Sequence, residues 1–86
     1  MPYINSKNRD QINPYINQIG RFISSPGDLN YIITQLCRLH LNCHTESNYA
    51  AHNEIVGVLE CAKLEFYRRA VAKYEDEKIQ TNGDVY

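Results

Sequence analysis

The chain has 86 residues, enough for one domain but so few that a single core buries little surface, and stability at this size commonly draws on a metal, disulfides or assembly. Nine Lys and Arg against ten Asp and Glu leave a net charge of −1, so no overall field draws the chain to duplex nucleic acid or to an anionic membrane. No run reaches the roughly 18 apolar residues of a membrane span, and three cysteines without a close pair, Cys37, Cys43 and Cys61, read as free thiols of a cytoplasmic protein.

In chain order, Asn13-Pro14 reads as an N-cap followed by proline at the first helical position, with Tyr15, Ile16, Ile19, Phe22 and Ile23 at helical spacing. A first helix over about 14–24 is expected. The breakers of SSPGD end it and offer Asp28 as the cap of a second, over about 29–42, whose buried stripe is Leu29, Ile32, Ile33, Leu36 and Leu39. Thr45 and Ser47 are candidate caps for a third. Beyond them only Gly57 interrupts the helical pattern before Asn82-Gly83, which predicts a helix over about 48–80 and a tail over 81–86.

Such a helix is roughly 50 Å long at 1.5 Å per residue, against roughly 15 to 20 Å for each of the others. Stepped at about 100° per residue, it shows two apolar stripes. Ile55, Leu59, Ala62, Phe66 and Ala70 form one, for the two short helices to cover. Val56, Leu64, Tyr67, Val71 and Tyr74 form the other, about 100° round. Two short helices cannot cover both, and a second copy of the chain is the simplest remaining partner. The expected architecture is therefore all-α over 1–86 as a single helical domain, two short helices packed on one long C-terminal helix, assembled as a homodimer or higher oligomer.

Polar residues break the second stripe: Asn53, Glu60 and Lys63 precede Tyr67. As rim positions they need no ligand, since Lys63 lies over Glu60 at i,i+3. As the wall of a pocket between subunits, they join Tyr67, Arg68, Arg69, Tyr74 and Tyr86 in a candidate ligand-binding set, with tyrosine rings on a planar group and a basic side chain on its negative charge. Arg68 and Arg69 project about 100° apart, so one helix is not expected to aim both at the same small group. Glu65 can pair with Arg69 at i,i+4. A bare C-terminal Val85-Tyr86 pair is more apolar than a solvated end needs, and Tyr86 is a candidate to fold beside Tyr67, Tyr74 and the arginines.

Other chemistry ranks lower. Cys37, His40 and His44, with Cys43 adjacent, permit a zinc site to be drawn, but no CxxC or HExxH spacing is present, and no metal is expected. The four glycines are isolated, so no phosphate loop is formed and no cofactor is expected. Glu54, Glu60, Glu65, Glu75 and Asp76 could serve a carboxylate-dependent enzyme, yet nothing singles out a pair.

The segments GDLNYIIT, NEIVGVLECAKLEFYRR, YEDEKI and the terminal NGDVY resemble a family of short phage and bacterial proteins that is a domain of unknown function, over nearly the whole chain. The resemblance implies no activity and no site residues. In size and in its tyrosine and basic chemistry, the chain is also similar to small phage proteins that sequester cyclic nucleotide signals between subunits. The expected function is that of a non-enzymatic sponge for a nucleotide-derived anion, countering host defence from the host cytoplasm. The alternatives are an interaction module docking a host or phage protein and a small carboxylate enzyme.

Overall fold

The computed structural model describes residues 4–43, 46 and 48–86, whose regular structure is all helix with no strand among them. Three helices follow in order: α1 (Ser6–Gly20), α2 (Pro26–Asn42) and a long helix over 49–82. The last consists of α3 (Tyr49–Phe66), a π-helical turn (Tyr67–Val71) and α4 (Ala72–Asn82), 34 residues in all. None is long and apolar enough to cross a membrane among the described residues. The chain divides into two units, Met1–Leu39 and His40–Tyr86.

In the first unit, α1 starts eight residues before the expected position. Asn5, in extended conformation, accepts the Asn8 backbone N–H on its side-chain oxygen at 2.9 Å, and the Arg9 guanidinium donates to the Ile4 carbonyl at 2.6 Å. The first bond satisfies an N–H that an uncapped end would leave open and the second fastens the first turn to the residue before the cap, and so the helix nucleates ahead of Pro14. Pro14 then falls inside α1, where it leaves the Asp10 carbonyl without its usual i+4 donor. The helix also ends at Gly20, not at 24, because Arg21, Phe22 and Ile23 donate three residues back instead of four.

The expected proline-first start occurs at Pro26 instead. Ser25 precedes it as the cap: its Oγ accepts the Asp28 N–H at 3.2 Å and its carbonyl accepts from Leu29 at 3.3 Å. Asp28 is thus not the cap of the residue after it. It sits in the first turn and reaches back, accepting from both the N–H and the hydroxyl of Ser24 at 3.0 Å each, a capping box displaced by one residue. These bonds hold its carboxyl below the usual carboxylate range. Of the expected buried stripe of α2, Ile32 is half-buried, while Leu29, Ile33, Leu36 and Leu39 are exposed.

In the second unit, the expected caps Thr45 and Ser47 lie outside the described residues. Asn48 caps α3 by accepting the Ala51 N–H at 2.9 Å, and the His52 ring bonds the Asn48 carbonyl at 2.7 Å. The far end is where the sequence placed it to within two residues. Gly83 follows the last helical residue with φ +85° and ψ 161°, and its N–H bonds the Ile79 carbonyl at 2.8 Å. Only glycine adopts that conformation readily, so the chain leaves the helix there.

The π turn was not expected. The Ala72 N–H bonds the Tyr67 carbonyl five residues back, so one extra residue is accommodated and everything after it lags the α register by about 100°. That revises the second stripe: Tyr74 no longer lies beneath Tyr67, and Glu75 takes its place. The Tyr67 hydroxyl donates to Glu75 Oε1 at 3.0 Å across eight residues, a span that a regular helix would set about 80° out of line.

Ala51 is the one buried hydrophobic among the described residues, and Ile55 one turn on is half-buried. Further along, the long helix leaves its large apolar side chains open, with Leu59 40%, Phe66 67% and Tyr74 58% exposed. Side chains of this size contribute about 1.5–3 kcal/mol each when fully buried.

Candidate functional site

The eight candidate residues are distributed along the second unit as three groups. Asn53 lies exposed near the start of α3, about 21 Å along the helix axis from Tyr67. One small ligand on one copy therefore cannot touch both. Glu60 and Lys63 form an i,i+3 ion pair at 3.2 Å with both side chains largely in water, as the rim reading requires. Such a pair contributes at most a few tenths of a kcal/mol and leaves no net charge.

The second group is the π turn. Arg68 donates to Glu65 Oε2 at 2.9 Å, and Arg69 Nε lies 3.8 Å from Glu65 Oε1. The expectation that the two arginines cannot share a small group is corrected here. Positions i+3 and i+4 straddle position i on a helix, so two long side chains reach the two oxygens of one carboxylate from either side. The Arg68 hydrogen bond, and then the charges of Arg68 and Arg69, hold the Glu65 carboxyl below its ordinary range. Two guanidiniums against one carboxylate leave a surplus positive charge. Both remain accessible, at 61% and 71% of their side-chain surface. Guanidinium N–H groups left unused by Glu65 are suited to carboxylate or phosphate oxygens.

Tyr67, at the head of the same turn, is held by Glu75, and the bond to that carboxylate raises the phenol above its ordinary value. Its ring is half exposed. Glu65 and Glu75 stand among the carboxylates of the alternative enzyme reading but not in the ligand-binding set. Glu65 was legible as the residue three and four positions before the arginines. Glu75 was not, since its approach to Tyr67 exists only because of the π turn.

The third group lies at the end of α4, where a groove of about 460 Å³ is lined by Tyr74, Ile79, Val85 and Tyr86, by Lys78, and by the carboxylates Glu75 and Asp84, among others. Gly83 turns the tail so that Tyr86 and Tyr74 border one space, and the Tyr86 N–H bonds Asp84 Oδ1 at 3.0 Å. Tyr86 itself is fully exposed. The Lys78 ammonium stands 5.5 Å from the centre of the Tyr74 ring, a cation–π contact that i,i+4 spacing would have suggested. Tyr86 thus joins Tyr74 at one groove, whose wall also includes the Glu75 that holds Tyr67, while Arg68 and Arg69 reach back to Glu65 in α3.

No group of three metal-ligating side chains occurs among the described residues, and His44 of the possible zinc set lies outside them. Cys37 is half-buried and Cys43 and Cys61 are exposed, all as free thiols.

A family model described as a domain of unknown function (DUF6899) matches residues 1–85, and the chain belongs to that family. No curated protein and no solved structure matches it.

Proposed function

We infer that this member of a family of unknown function is a non-enzymatic, self-assembling helical protein that captures a small anionic ligand, nucleotide-derived by its chemistry, around the π turn of its long helix. The observation that carries the reading is the pair Arg68 and Arg69, exposed and sharing one carboxylate; the half-exposed Tyr67 belongs to the same turn and bonds Glu75. A phosphate would take the guanidinium N–H groups that Glu65 leaves over, and a base would take a tyrosine face. The open apolar side chains of the same helix support assembly. A second copy would bring Asn53, Glu60 or Lys63 of one chain near the π turn of another, which the length of one helix prevents within a copy. Sequestration is the mechanism: tight holding lowers the free concentration of a signal, in the host cytoplasm if the chain is phage-encoded, and no bond need be broken.

The test is to denature protein purified from cells and identify small molecules released, then to titrate the stripped protein with mono-, di- and cyclic nucleotides by calorimetry. Stoichiometric release or saturable binding, weakened by Arg68→Ala and by Arg69→Ala, is the expected result. Release of nothing and no binding across the panel would refute capture. Turnover of a nucleotide would replace it with the carboxylate enzyme. Stoichiometric co-purification of one protein in place of a small molecule would support the docking module.

A further inference from the structure

The groove at the end of α4 draws its whole wall from one stretch, 74–86, so it forms entirely within the second unit. Its helical side runs from Tyr74 to Asn82, about 12 Å along the axis. The tail, turned at Gly83, supplies the other side. A volume of about 460 Å³ lies within the range of small-molecule sites, and the length favours a linear occupant over a compact one.

The charge of the wall fixes the sign of that occupant. Two carboxylates, Glu75 and Asp84, face one ammonium, Lys78, which leaves an excess of negative charge. The Tyr67 hydroxyl occupies Glu75 Oε1 and the Tyr86 N–H occupies Asp84 Oδ1, so each carboxylate keeps its second oxygen as an acceptor. Lys78 compensates neither: among the described residues it forms no ion pair, and its ammonium stands 5.5 Å from the centre of the Tyr74 ring. That contact shows the ring face taking a cation, the role an aromatic wall plays toward an ammonium ligand. Ile79, Val85 and the Tyr86 ring add apolar surface to the same space.

Anionic oxygens set among apolar side chains match a chain in which ammonium groups alternate with methylene segments. We propose that the groove holds a small linear polyamine, its ammonium groups on Glu75 Oε2 and Asp84 Oδ2 and its methylenes against Ile79, Val85 and the tyrosine rings. Amines of this kind are protonated near neutral pH, as lysine is. Lys78 is the one like charge that the ligand meets in the groove, and it weakens capture. Arg68 and Arg69 take no part, so the cation site and the anion site at the π turn are tested separately.

Titration of the isotope-labelled full chain with spermidine at constant ionic strength, followed by NMR, is the test. The carboxyl resonances of Glu75 and Asp84 should move along one saturable isotherm, together with the rings of Tyr74 and Tyr86. Lys78→Gln should tighten that isotherm by about threefold or more. Asp84→Asn lies beyond the helix, leaves its hydrogen bonds intact, and should weaken binding by about threefold or more. Magnesium at the same ionic strength, a compact cation without methylenes, should bind more weakly than spermidine. An equal response to both, or shifts spread evenly over all carboxylates, would overturn the site as ordinary ion screening. Weaker binding by Lys78→Gln would overturn it too, as would a nucleoside monophosphate that moves the same resonances in the parent and not in Lys78→Gln. A lysine tripeptide that binds more tightly than spermidine would overturn the free amine and make the groove a seat for a partner's basic side chains.

Discussion

The same substitution, glycine to alanine, should have opposite signs at two positions of the long helix. At Gly57 an added methyl meets nothing within 4 Å and the backbone is helical, so alanine gains helix propensity and lowers the entropy of the unfolded chain. The expected gain is about 0.5–1 kcal/mol. At Gly83 the methyl also meets nothing within 4 Å, so any penalty there comes from the backbone alone. With φ +85° and ψ 161°, Gly83 occupies a region nearly closed to L-residues, and holding alanine in it costs about 1–3 kcal/mol. Relief of that strain requires the chain to leave the helix differently, which would dismantle the groove between α4 and the tail. For a domain of this size, 1 kcal/mol moves the melting temperature by roughly 4–8 °C. Thermal and urea unfolding, followed by far-ultraviolet circular dichroism at one protein concentration, should show Gly57→Ala melting higher and Gly83→Ala lower than the parent. If Gly83→Ala is as stable as Gly57→Ala, the backbone reasoning is wrong and the chain end adopts another conformation.

Replacing Pro14 by alanine restores a donor for the Asp10 carbonyl and removes a ring from the helix interior, and should raise helix content and stability by up to about 3 kcal/mol; unchanged circular dichroism would mean that α1 does not run through Pro14. Asp28 has a folded-state carboxyl depressed below 3.8, so its stabilisation of the start of α2 is present above that value and is lost as pH falls through the depressed one. Its carboxyl chemical shift followed by acid titration should have a midpoint below 3.8, and Ser24→Ala should move it upward. Tyr67 should ionise above 10 because its hydroxyl donates to Glu75. Glu75→Gln should return that phenol toward 10 in an NMR titration, and a Tyr67 resonance that ignores the substitution would deny the contact across the π turn.

What could be read directly was whatever depends on short-range chemistry. The all-helical class, the break at SSPGD and the stop at Gly83 follow from turn residues and periodicity that act within a few positions. So do the i,i+3 and i,i+4 pairs of Glu60 with Lys63 and of Glu65 with Arg69. The misplaced start of α1 also has a local cause: Asn5 and Asn13 are both competent caps, and the choice between them turned on bonds from Asn8 and Arg9 that spacing alone does not rank. The membership of the candidate site was only partly legible for a different reason. Stripes drawn at a constant step assume that every amide donates four residues back, and one turn over Tyr67–Val71 donates five back instead. No propensity of Tyr67, Arg68, Arg69, Ala70 or Val71 announces this. The two registers differ little within the turn itself and greatly in where they place Lys73, Tyr74, Glu75 and Glu77 beyond it. Amino-acid order determined that this segment is a helix carrying tyrosine, arginine and carboxylate. Which of those side chains share a face was decided by the three-dimensional structure, because one extra residue in a turn rotates everything downstream together.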